Sequence, residues 1–227
     1  LKYTIVHIDD RCKEQMNTNK SILKDFDYVD DIEFFNGNIG NSWDVINHYG
    51  ISQTVWEPYD GRKTPPLPGE LGIWVSTINI LKYIVDNNID SMLVLEDDVI
   101  LEDDFIKSLN LCLNDLPKSF DFLSLFYFEE HNQEKKENDI GSEYIHKPLT
   151  QYSAAQAMIY SKKGAEKILR AVKRKGIEYT TDCFIFKQAH LGLIEGYTIR
   201  PNKLKFLNHN KQVKSTIDPE NIRNTNG

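Results

Sequence analysis

Along this chain the spacing of apolar positions switches between a period near two and a period near three and a half, and the switches predict its elements. Tyr3 to Ile8 is a β-branched and aromatic run ended by Asp9, Asp10 and Arg11, which predicts a buried first strand opening into a polar loop. A helix is predicted around Ser21 to Phe26, then a short strand from Ile32 to Phe35 closed by the turn pair Asn36-Gly37. Four prolines and two glycines between Glu57 and Gly69 predict a loop. Leu71, Trp74, Val75, Ile78, Leu81, Ile84 and Val85 then recur at threes and fours, the mark of a helix with one apolar face. Met92 to Leu95 is a continuous apolar run of strand length, and Phe105 to Leu113 reads as helix. Phe122 to Phe128 is a further strand whose alternating phenylalanines, Phe122, Phe126 and Phe128, are assigned to the core. Glu129 to Glu143 is polar and predicts a mobile loop. Ala154 to Tyr160 predicts a strand, and Ser161 caps a helix carrying Ala165, Ile168, Leu169 and Val172 that Gly176 ends.

Strands alternating with helices predict a layered α/β sheet in one domain spanning 1–227, with the tail 217–227 expected to fray. At 40% hydrophobic and 27% charged residues the chain has the balance of a globular protein. The net charge of -7 argues against general attraction to nucleic acid or to an anionic membrane surface, so an anionic ligand must be met by a local basic cluster or a metal ion. Cys12, Cys112 and Cys183 are far apart and odd in number, which suits buried thiols in a reducing compartment. No apolar run is long enough to span a bilayer, and a cytoplasmic location or a cytosolic membrane face is expected.

The sharpest local feature is Glu96-Asp97-Asp98, set directly after the apolar run Leu93 to Leu95. In extended chain, residues two apart share a side, so Glu96 and Asp98 are expected to converge while Asp97 points away. Two carboxylates held together invite a cation, and hard ions such as Mg²⁺ or Mn²⁺ prefer oxygen ligands shared with substrate phosphates. The competing reading makes the triplet the first turn of a helix, where the macrodipole favours acids. Glu102, Asp103 and Asp104, just before Phe105, fit that role better.

The chain resembles the family 25 glycosyltransferases, which include lipooligosaccharide and collagen galactosyltransferases. His7-Ile8-Asp9-Asp10-Arg11 is similar to that family's Asn-Leu-Asp-x-Arg, with His7 in place of Asn. Gly69-Glu70-Leu71-Gly72 matches its Gly-Glu-Ile-Gly, and Ser76 falls on its Ser, while Ile73 stands where Cys is usual and Thr77 where His is usual. Leu93 to Val99 matches its Val-Leu-Glu-Asp-Asp-Val, and Phe120-Asp121-Phe122 its Phe-Asp-Leu. Ser161 to Ala165 matches Ser-x-x-Gly-Ala, and Thr181-Asp182-Cys183-Phe184 is similar to Val-Asp-x-Phe.

The resemblance implies a GT-A-type, Rossmann-like mixed sheet flanked by helices, a UDP-sugar donor (galactose or glucose), Mn²⁺ dependence and inversion at the anomeric carbon. The acceptor would be a hydroxyl on a glycan, lipooligosaccharide or protein. Glu96 and Asp98 are the expected metal ligands, with His209 a late addition from the polar cluster Asn208 to Gln212. Ile8, Asp9, Arg11, Glu70, Ser76 and Asp97 are the expected donor-binding residues; the first three follow from the rule that ligands sit beyond the carboxyl ends of strands. Asp182 is the expected base toward the acceptor hydroxyl, with Glu129 and Asp103 next in line, although an N-cap for a helix from Cys183 to His190 is an equal reading of it. Two other functions fit the acids: a nucleotidyl or phosphoryl transferase, which usually adds a phosphate-cradling loop GxxxxGK[ST] that is missing here, and a sugar-nucleotide-binding domain without catalysis.

Overall fold

The computed structural model describes residues 1–7, 12–30, 47–50, 68–126, 138–148, 155–178, 180–200, 203–204 and 206–209. In chain order the elements are β1 (Lys2–Val6), α1 (Lys13–Ile22), β2 (Asp27–Tyr28), α2 (Pro68–Asp86), β3 (Ser91–Glu96), β4 (Val99–Leu101), α3 (Phe105–Asp115), β5 (Phe122–Ser124), β6 (Ile145–His146), β7 (Ala157–Ser161), α4 (Lys162–Lys175), α5 (Thr181–His190), β8 (Gly196–Ile199) and β9 (Leu207–His209). Seven strands form one mixed sheet in the order β2-β1-β3-β7-β5-β8-β6, and β4 with β9 makes a separate ribbon. β3 runs parallel to β1 and antiparallel to β7, so it is central but parallel on one side only.

Strand alternation divides the core between the two faces of the sheet. Met92 and Val94 of β3, Met158 and Tyr160 of β7 and Phe122 of β5 face α2, α4 and α5, where Trp74, Ile78, Ile168 and Phe184 meet them. Leu93, Leu95, Ala157, Ile159 and Leu123 face the other way, onto Met16 of α1 and Phe105, Leu109 and Cys112 of α3. Edge-on aromatic pairs tie each layer: Trp74 with Phe184 at 5.3 Å, and Phe105 with Phe206 at 5.8 Å.

Several elements differ from the sequence expectation. The first helix is Lys13–Ile22, upstream of Ser21 to Phe26, because its stripe is carried by few apolar side chains and a buried asparagine, Asn19, which apolar periodicity does not detect. The second strand is the short β2, while Ile32 to Phe35 lies outside the described residues. α2 begins at Pro68, inside the predicted loop, since proline suits the first helical position. β5 stops at Ser124; Phe122 is fully buried, Phe126 partly buried, and Phe128 is outside the described residues. Of the polar stretch after it, residues 138–143 are tied down rather than loose: Arg200 pairs with Asp139, and Ser142 Oγ donates to Asp115 Oδ2 at 2.5 Å. The tail 217–227 also lies outside the described residues.

Two of the recognised motifs exist to dock on each other. Ser161 accepts from the amide of Gly164 at 3.0 Å, capping α4, and its hydroxyl donates to the Phe120 carbonyl at 2.8 Å. The Ser161 amide donates to the Asp121 carbonyl, and a Cβ on Gly164 would stand 1.9 Å from that same oxygen. The Asp121 side chain, fully buried, accepts from Lys167 and from the amide of Glu195. Gly164→Ala therefore forces α4 off the start of β5, and a loss of about 3 kcal/mol is expected in a urea melt; an unchanged midpoint would show that the helix shifts without cost. At its other end α4 stops at Gly176, which adopts φ 77°, as expected.

Candidate active site

β3 delivers the acidic triplet to the carboxyl edge of the sheet. Glu96 is its last residue, paired in register with Val6 at the end of β1, and its amide donates to the Gln156 carbonyl at 2.9 Å. Asp97 and Asp98 form a tight turn, after which Val99 opens β4. The helical reading of the triplet is thereby excluded; α3 begins at Phe105, immediately after Glu102, Asp103 and Asp104. The expectation of extended chain through Asp98 also needs correction: the strand ends at Glu96 and the two aspartates lie in a turn, Asp98 exerting the stronger charge on that carboxyl and Asp97 the weaker.

Glu96 follows Met92 and Val94 on the face toward α2 and α5. There it lines a pocket of about 30 Å³ with Val6, Ile73, Ser76, Thr77 and Tyr160 among its walls. Its carboxyl is pushed up to about 8, first by burial and then by the negative charges of Asp98, Asp182 and Asp97. Charges from two distant segments, the acidic turn and the start of α5, thus act on one carboxyl. Tyr160, on β7, lines the same pocket as Glu96 and is raised above the ordinary phenol range by burial, Asp182 and Glu96, so it keeps its proton. Long-range pairing of β7 with β3, Tyr160 opposite Met92, puts it there, and nothing local in the sequence marks it.

Asp182 is the second residue of α5 and only 7% exposed; the N-cap position belongs to Thr180. The expected helix cap is thus not its role. One carboxylate oxygen accepts from the Cys183 amide at 2.8 Å. Burial and the charge of Asp182, with a smaller push from Glu70, raise the Cys183 thiol to about 12, which places Glu70, in the first turn of α2, on the same side. Glu70 is itself buried at 6% exposure. Ser76 lies one and a half turns further along α2, its hydroxyl donating to the Gly72 carbonyl at 3.1 Å. Thr77 and Ile73, at the two positions that depart from the family pattern, line the pocket beside Glu96.

β9 pairs antiparallel with β4 so that His209 lies opposite Val99, one residue past Asp98. The backbone of the late polar segment therefore reaches the acidic turn. Ile8, Asp9, Arg11 and Glu129 lie outside the described residues; Asp103 is exposed just before α3. Asn19 was not legible as a site residue from its sequence neighbourhood. From α1 its amide donates to the Val99 carbonyl at 2.7 Å and its Oδ1 accepts from the Leu101 amide, so a buried side chain holds β4 and with it the acidic turn. Among the described residues no three or more His, Cys, Asp or Glu side chains form a ready metal cage, and no helix is long and apolar enough to cross a membrane.

No curated protein matches the chain. Among solved structures it is similar to the crystal structure of A197 from STIV, with a TM-score of 0.44 and 11% identity, over 88% of this chain and 81% of that one. The model of glycosyltransferase family 25 (LPS biosynthesis protein) matches residues 33–220, which contain α2, the acidic turn and Asp182. The chain belongs to glycosyltransferase family 25, whose members transfer a sugar from a donor to a glycan acceptor.

Proposed function

We propose that the chain is a metal-dependent inverting hexosyltransferase of GT-A type, moving galactose or glucose from a UDP-sugar to a hydroxyl acceptor. The observation that supports this most is that Glu96, at the carboxyl edge of the sheet, is raised to about 8 by burial and then by the charges of Asp98, Asp182 and Asp97. Such a set fits a hard divalent cation. Its donors are all oxygen and its charge calls for a counter-ion, which suits Mg²⁺ or Mn²⁺, ions that complete their shell with water and substrate phosphates.

Glu96 and Asp98 would hold the ion, with Asp97 adding charge and the His209 segment adjoining. When bound, it supplies stabilisation of the diphosphate charge that grows as the glycosidic bond breaks. The chain's own residues do the rest. β1 ends where Val6 meets Glu96, and Ile8, Asp9 and Arg11, which follow it in sequence, are assigned to the nucleotide. Glu70 and Ser76 present the α2 side of the cleft to the donor. Asp182 is assigned the acceptor hydroxyl proton: it lies close enough to the acidic turn to act on Glu96 yet comes from a separate element, which lets it address the face of the sugar away from the diphosphate.

The test is a thermal-shift panel of nucleotide sugars with and without Mn²⁺, followed by calorimetry of UDP binding. A donor present at a hundred times its Kd stabilises by about 2.7 kcal/mol, enough to separate it from the others. Asp98→Asn is expected to weaken Mn²⁺-dependent UDP binding at least about tenfold with the melting temperature of the free protein retained. Equal Mn²⁺-dependent binding by that variant would remove Asp98 from the metal site. Sugar-phosphate stabilisation with no transfer to any acceptor would favour a binding domain.

A further inference from the structure

Helix α4 is strongly cationic in a chain whose net charge is -7: every ionisable residue in it except Glu166 is a lysine or arginine. Its inner face, with Gly164, Ala165, Ile168 and Val172, is buried on the sheet. The exposed positions Lys163, Arg170, Lys173 and Arg174 follow one another along its outer side at helical spacing. Glu166, one turn before Arg170, is 4.0 Å from it and leaves the other cations unopposed on that helix.

Beside this stripe lies the turn after α5, and there the described residues leave two large apolar side chains in solvent, Leu191 at 53% and Leu193 at 48%. Two independent links fix that turn against α4. Lys175 Nζ donates to Gln188 Oε1 at 3.1 Å, and the Gln188 carbonyl accepts from the Leu193 amide at 2.9 Å. Further along, the Asp121 carboxylate accepts both from Lys167 of α4 and from the Glu195 amide. The acids near the turn are already compensated: Asp121 is buried against Lys167, and Glu195 is paired with Lys147. What remains is a positive stripe flanked by exposed leucines.

We propose that the outer face of α4, together with the Leu191–Leu193 turn, docks on an anionic lipid bilayer, the cations lying at headgroup level and the leucines entering the acyl boundary. Cations alone would suit any polyanion. The leucines favour lipid, because apolar insertion adds binding that salt does not screen, and a mixed basic and apolar surface is what interfacial proteins present. This surface is separate from the acidic turn and Asp182 and stands whether or not those acids bind a metal.

The experiment is co-sedimentation of the full chain with phosphatidylcholine vesicles, with and without phosphatidylglycerol. The wild type is expected to sediment with the mixed vesicles only. Reversing Arg170, Lys173 and Arg174 to Glu should abolish this, and the pair Leu191→Ser and Leu193→Ser should lower partitioning about tenfold or more, the deficit persisting at high salt. All five side chains are exposed, so unchanged melting temperatures confirm that each variant folds. A wild type that ignores phosphatidylglycerol vesicles overturns the proposal. So does a leucine variant that binds them like the wild type and is displaced with it by heparin, which would mark the stripe as a site for an anionic polymer.

Discussion

Asp182→Asn is expected to lower sugar transfer about a hundredfold or more while donor and metal binding persist. Asparagine keeps the size of the side chain and its oxygen can still accept from the Cys183 amide, so the first turn of α5 retains its bond. What is lost is a carboxylate able to take the acceptor proton. Because Asp182 is buried and its charge also raises Glu96 and Tyr160, neutralising it should relieve repulsion, and the variant is expected to be at least as stable as the wild type. A slow enzyme that melts no earlier and still binds UDP with Mn²⁺ is the signature of lost chemistry rather than lost structure. If the variant transfers sugar at the wild-type rate, Asp182 serves only to order α5, and the proton leaves by another carboxylate. Glu129 is then the next to replace; exposed Asp103, before α3, is the weaker choice.

Much of this site was legible because its parts are local. The apolar run that stops at Glu96 announces a buried strand meeting solvent at its carboxyl end, and the structure has that strand. Ser161 three residues before Gly164 announces a capped helix, and α4 starts there. Period alone also predicted α2, whose apolar face is buried on the sheet. By contrast, the geometry within the acidic triplet was misjudged, since one hydrophobic run cannot tell where a strand gives way to a turn.

What stayed hidden depends on pairs far apart in sequence. Asn19 looks like a polar helix residue until β4 is seen to pass beside it, eighty residues later, with Val99 as its partner. Tyr160 reads as an ordinary strand aromatic, and only the β3–β7 pairing brings it to Glu96 and Asp182. Asp182 carried two readings of equal weight because the choice between cap and base turns on whether the helix begins one residue earlier or later. The first turn includes Thr181, which moves Asp182 inside the helix and toward the acids. Cys183, buried beside it with a thiol pushed up to about 12, is inert packing, as its isolation in the sequence suggested.

In chelator, the wild-type protein is expected to lose stability as pH rises from about 4.5 to about 8, by up to about 4 kcal/mol from Glu96 alone. The direction follows from proton counting. In the folded chain Glu96 holds its proton up to about pH 8, whereas the unfolded chain releases it near the ordinary value of 4.5. Between those limits the native state binds the extra proton, so each step up in pH favours unfolding, and below about 4.5 the group has no effect. Glu96→Gln removes the titrating group while keeping its volume and much of its hydrogen bonding. Its metal-free melting curve should be flatter across this window, and at pH 8 it should melt about 5–10 °C above the wild type. Saturating Mn²⁺ should reverse the ranking, because an ion held by the carboxylates favours their charged forms and stabilises the wild type, whereas glutamine is the poorer ligand. Identical pH slopes for the two proteins in chelator would mean that Glu96 is not held among unneutralised acids. An unreversed ranking in Mn²⁺ would mean instead that the cluster's charge is answered by something other than a metal.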